Sequence, residues 1–144
     1  MGQKYLQADE TVVTDHGETR VPDADVYDRG LRGHRSTQNA LARWVKGQGL
    51  EPLSPALGDP PFDLGWWDDQ VFVVAEVKSL MPWNETGQIR LGLGQILEYV
   101  HRIGRHHDQV MGVLAVESKP TDPIWKDLCA TNGIQLTWPP FGSP

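Results

Sequence analysis

The pattern of apolar and polar positions divides the chain into a polar opening and a patterned remainder. Ala40, Leu41, Trp44 and Val45 recur at helical spacing, with Ser36 or Thr37 as the expected N-cap and Gly47 and Gly49 as the stop. A proline-rich loop over residues 50–61 leads into a short strand at Phe62-Asp63-Leu64, and Asp68-Asp69 predicts a turn. Val71, Phe72, Val73, Val74 and Ala75 are apolar without interruption, which marks a strand covered on both faces and running on to Lys78. Residues 87–102 predict a long helix whose inner stripe is Leu93, Ile96, Val100 and Ile103. Residues 110–116 predict a second buried strand. Pro123 opens a further helix, capped by Thr121 or Asp122, that carries Ile124, Trp125, Leu128 and Cys129 inward. Residues 134–138 predict a last strand. This order suits an α/β domain with a central mixed sheet flanked by helices. Residues 29–144 are expected to form that domain. Residues 1–28 read as a polar arm or extension, with a small strand at Val12-Val13 and a turn at Val21-Pro22.

The candidate chemistry lies where the apolar strand ends, in Glu76-Val77-Lys78. Strand side chains alternate, so Glu76 and Lys78 share one side and Val77 takes the other. Folding the 62–64 strand back through the Asp68-Asp69 turn brings Asp63 beside Glu76. Two adjacent carboxylates in a poorly solvated place repel each other and need neutralising. A divalent cation does this, and oxygen ligands with water suit Mg2+ or Mn2+. The backbone carbonyl of Val77 is a further oxygen at the same place. Lys78 can then hold a scissile phosphate or polarise an attacking water. Together these groups suit metal-assisted hydrolysis of a phosphodiester. The plainer alternative makes Asp63 a turn residue and Glu76–Lys78 an ion pair at a fraying strand end.

Asp63, Glu76 and Lys78, in this order and spacing, resemble the PD-(D/E)XK nuclease superfamily of restriction endonucleases, junction resolvases and recombination nucleases. Phe62 stands where the family pattern has proline, although Pro60 and Pro61 lie just upstream. Gln95 and Tyr99 resemble the Q-x-x-x-Y motif that follows the E-x-K strand in RecB-like branches. The resemblance implies a restriction-endonuclease-like fold over about residues 30–138 and an Mg2+- or Mn2+-dependent endonuclease acting on DNA. Asp63, Glu76 and Val77 would hold the metal, Lys78 would stabilise the phosphate or attacking water, and Gln95 would orient them. Gln38 occupies the early-helix position at which many members carry a metal-facing glutamate. Restriction of foreign DNA is the implied setting, with repair or recombination behind it. Partners implied beside DNA are a second copy of the chain or a separate recognition domain.

Composition sharpens part of this picture and strains another. The chain has 144 residues, enough for one core, and 39% of them are apolar, which excludes general disorder. No apolar run approaches the length of a membrane span and no secretory h-region is evident; the single Cys129 permits no internal disulfide, so a cytoplasmic protein is expected. The net charge of −6 is not that of an indiscriminate nucleic-acid binder. Nine of the nineteen acids, however, fall in the first 28 residues or at Asp68-Asp69. Basic residues gather in 29–35, at Arg43 and Lys46, and in 90–107, so Arg32, Arg35 and Arg90, with Gln38 and Tyr99, are the candidate DNA contacts. Of Trp66 and Trp67, one is expected in the core and one at the surface. His106-His107-Asp108 reads as a solvated loop rather than a metal site, and Cys129 as packing. Two rival functions remain open on sequence: a module of the same fold that binds DNA or protein without cutting, and a small-ligand binder in which Asp63 and Glu76 are structural.

Overall fold

The computed structural model describes residues 1–11 and 24–142. The strand and turn expected at Val12-Val13 and Val21-Pro22 lie outside the described residues. A mixed sheet of six strands runs in chain order: β1 (Gln3–Lys4), β2 (Leu53–Ser54), β3 (Leu64–Asp68), β4 (Val71–Lys78), β5 (Val110–Val116) and β6 (Ile134–Thr137). The first three pairings are antiparallel and the last two parallel. Each parallel pairing needs a crossover, supplied by α2 (Glu85–Gly104) between β4 and β5 and by α3 (Ile124–Thr131) between β5 and β6. The remaining helix, α1 (Ala24–Gly47), precedes β2. The expected α/β architecture with a mixed, helix-flanked sheet is therefore present. No helix among the described residues is long and apolar enough to cross a membrane.

Alternation along β4 divides the core in two. Phe72 and Val74 face Ile89, Ile96 and Ile103 of α2 and Trp125 and Cys129 of α3. Val73, Ala75 and Val77 face Leu41, Ala42 and Val45 of α1. Burying each large aliphatic or aromatic side chain contributes about 1.5–3 kcal/mol. With both faces covered, the strand has no solvent side, which is why its sequence is an unbroken apolar run.

Four local expectations are corrected. The first helix does not start at Ser36 or Thr37: α1 begins at Ala24 and runs through residues 29–35. The Thr37 hydroxyl does not cap the helix but donates within it to the Gly33 carbonyl, at 2.7 Å. The strand before the hairpin is Leu64–Asp68 and not 62–64, because regular pairing with β4 starts only at Leu64 opposite Ala75. On α3, Trp125 and Cys129 face the core, whereas Ile124 and Leu128 are exposed, one residue and about 100° of turn away. The tandem tryptophans divide as expected, Trp66 buried and Trp67 partly exposed beside His107.

Candidate active site

Asp63 acts where the β3–β4 ladder gives out. Its backbone N–H donates to the Ala75 carbonyl at 3.2 Å. Two residues further along β4, the Asp63 carboxylate takes the place of a strand carbonyl: Oδ2 accepts the Val77 N–H at 2.7 Å. The N–H and C=O of one strand residue point to the same neighbour. The Val77 carbonyl is therefore directed to the side on which Asp63 lies.

Glu76 and Lys78 point to the α2 side, as alternation requires. Lys78 Nζ lies 3.4 Å from Glu76 Oε1. Glu76 is only 4% exposed, and its Oε2 has no hydrogen-bond partner. Burial first, and the nearby Asp63 charge second, push its pKa from the ordinary 4.5 to about 8, against the smaller attraction of Lys78. The Gln95 side-chain oxygen is likewise buried without a partner. Gly92 lets α2 come this close, since a Cβ there would sit 2.9 Å from Lys78 Cγ and 2.6 Å from a Leu114 methyl. A buried, shifted carboxylate with one unpartnered oxygen thus sits at the carboxyl end of β4, the usual position of sites on parallel strands.

Three participants escaped the sequence reading. His34 Nε2 lies 3.2 Å from Asp63 Oδ2. It stands one helical turn before Gln38, a spacing that becomes visible only once residues 29–35 are taken as helix. Tyr5 donates to Asn39 Oδ1 at 2.6 Å, and its hydroxyl also meets the Gln38 side chain. Its pKa is raised by burial, with a smaller contribution from Asp63. Glu117, just beyond β5, accepts from Leu80 N at 3.0 Å and from Arg29 Nη1 at 2.7 Å, and its own N–H donates to the Lys78 carbonyl.

The structure does not gather every candidate DNA contact. Tyr99 is buried in the core, with its pKa raised to about 12 by burial and then by the charges of Glu76, Asp63 and Glu98, so it is no surface contact. Arg90 is exposed but lies roughly 140° around α2 from Gln95, on the side turned from the sheet. Arg35 donates to the Asp9 carbonyl at 3.0 Å, while Arg32 is exposed on the same helix.

The donors fit a hard divalent cation in a specific way. Among the described residues no three His, Cys, Asp or Glu side chains are grouped as a cage. Two carboxylates and a backbone carbonyl, completed by water, are instead a donor set of the kind Mg2+ accepts. Asp63 Oδ2 meets His34 and the Val77 N–H, and its carboxylate lies beside that of Glu76. Space alone would have pointed elsewhere: a cavity of about 620 Å³ lies along β6 and α3, but among the described residues Lys126 is the only ionisable side chain lining it. Comparison with protein-family models, with curated proteins and with solved structures finds no match.

Proposed function

We propose that the protein is a divalent-metal-dependent deoxyribonuclease with a restriction-endonuclease-like fold. The observation that carries the reading is Glu76, a carboxylate buried with one oxygen unpartnered, next to Asp63 and on the same strand end as Lys78. Such a group requires either a proton or a cation. Asp63, Glu76 and the Val77 carbonyl would hold Mg2+ or Mn2+. The bound metal supplies a water made nucleophilic near neutral pH and a positive charge for the phosphate oxygens.

The protein's own groups carry the rest. Lys78, 12% exposed at its side chain, points along the same side as Glu76 and can neutralise charge developing on the scissile phosphate. A cation held by Glu76 would take over the neutralising role of Lys78 and leave the lysine for the phosphate. Gln95, with its oxygen unpartnered, can accept from the attacking water and orient it. His34 holds Asp63 in place through Oδ2. The net charge of −6 opposes DNA, so binding should be modest in strength and strongly salt-dependent. Restriction or repair in the cytoplasm is the setting that the family resemblance suggests.

A second reading, a module that binds without cutting, is favoured by one contact: Lys78 lies 3.4 Å from Glu76 and can neutralise it without any metal. Cleavage of supercoiled and linear DNA with Mg2+, Mn2+ or EDTA, in wild type and Asp63→Ala, separates the two. Metal-dependent cutting that disappears in Asp63→Ala is the expected result. DNA binding without cutting under any metal would favour the second reading.

A further inference from the structure

The loop between β4 and α2 is braced more heavily than a simple connection requires. Leu80 N donates to Glu117 Oε1 at 3.0 Å, and the Ser79 carbonyl accepts from Gln88 Nε2 at 3.1 Å. Met81 N donates to Asn84 Oδ1 at 2.8 Å, while Asn84 N returns a bond to the Met81 carbonyl at 3.1 Å. Leu80 and Met81 are buried beneath it. On this fixed turn Trp83 is 70% exposed, the largest side chain there and one turned into water. Burying an indole elsewhere would be worth several kcal/mol, so the brace holds Trp83 outward against its own preference.

The surroundings point to a ligand with a flat face and a negative backbone. Five residues separate Trp83 from Lys78, so their α-carbons are at most about 18 Å apart, within a few stacked nucleotides. Glu85, which follows the loop, is occupied by the Thr121 N–H and hydroxyl, and so ties the segment carrying exposed Lys119 to this corner. Glu117 is taken up by Arg29 and Leu80. Both acids are thus engaged; Arg29 is tied to the loop through Glu117, and exposed Lys119 lies between Glu117 and Thr121, the two residues bonded to this corner. Exposed aromatic rings in reach of cationic side chains are how proteins hold unpaired bases.

We propose that Trp83 is the stacking platform for an unpaired base of the strand whose phosphate lies at Lys78, so that the preferred substrate is single-stranded DNA. The inference rests on the nuclease reading and names its substrate class. In duplex DNA the base faces are already stacked on one another, and the indole has nothing to pair with.

The test uses the full chain and dye-labelled oligonucleotides, one single-stranded and one blunt duplex, in fluorescence anisotropy with Ca2+. Cleavage of both is followed in Mg2+ and Mn2+. Trp83→Ala should weaken single-strand binding at least about fivefold, leave duplex binding unchanged, and lower single-strand cleavage in proportion. Trp83→Phe should retain most of the binding, because a ring remains. Single-strand binding by Trp83→Ala equal to wild type, or an equal loss on both probes, would overturn the proposal. A wild type that cuts DNA while Trp83→Ala binds and cuts like it refutes the platform alone. A wild type that neither binds nor cuts either probe refutes the nuclease reading and the platform with it.

Discussion

The two ends of β4 carry the same kind of side chain in opposite surroundings. At the amino end Asp68 closes β3 and Asp69 opens the hairpin turn, both exposed, with Asp69 in the left-handed region at φ 55°. A short polar side chain tolerates that conformation and solvent surrounds its charge. At the carboxyl end Asp63 and Glu76 lie against the sheet, and Glu76 has an oxygen with no partner at all. Water screens the first pair, whereas the second has to share a proton, a lysine or a cation. Desolvation, rather than the presence of two acids, separates a turn from a candidate centre.

The sharpest way to break this contrast is to neutralise one acid at each end. Asp63→Asn keeps an oxygen to accept the Val77 N–H, so the fold should survive. Stabilisation by Mg2+ or Mn2+ in a thermal melt, and cleavage with it, should disappear. Asp69→Asn should leave both as in wild type. A metal titration of Asp63→Asn that matches wild type would remove Asp63 from the cation site. Next in size, Lys78→Ala should fold and lower cleavage by about 10²-fold or more, as for loss of one stabiliser of transition-state charge. An unchanged initial rate would exclude Lys78 from the mechanism.

Stability against pH reads the same contrast without any activity. The Glu76 pKa is raised to about 8 by burial and by Asp63, so between about 4.5 and 8 the folded state holds a proton that the unfolded chain has released. With more protons bound in the native state, stability falls as pH rises through that window. Denaturant unfolding at pH values spanning it should show the decline, and Glu76→Gln, which cannot ionise, should flatten it. A wild-type profile that is level across the window would show that Glu76 is ionised in the folded protein.

How much of this could be read beforehand follows from the range of each interaction. The run of β4 to Lys78 and the meeting of Asp63 with Glu76 and Lys78 at its end were legible because alternation and a hairpin turn are local rules that act over a few residues. His34 was not, because its role depends on whether residues 29–35 are helical. Two glycines in that run argued for a loop, yet one of them, Gly33, packs so closely on Glu117 that a Cβ would fall 2.5 Å from its carboxylate. That requirement comes from a residue 84 positions away. Tyr5 was hidden for the same reason: residues near the amino terminus carried no periodicity, and their place beside Asn39 and Gln38 is set by tertiary contact. Tyr99 went the other way, since the motif that singled it out does not say which side of α2 is buried.

The glycines of α2 supply the smallest effects. Gly92 and Gly94 are two residues apart, so they point in nearly opposite directions around the helix. At Gly92 an added methyl would meet Lys78 and Leu114 at 2.9 and 2.6 Å, and Gly92→Ala should cost about 1–3 kcal/mol as overpacking. It should also lower cleavage, because Lys78 is one of the atoms pushed. At Gly94 nothing lies within 4 Å, so Gly94→Ala gains helix propensity and meets no clash. It should stabilise the protein by about 1 kcal/mol or less and leave cleavage unchanged. Paired urea denaturation curves for the two variants measure both signs against wild type. A stabilising Gly92→Ala would mean that α2 does not approach β4 as closely as the site requires, whereas a destabilising Gly94→Ala would place a partner on a face that is open here.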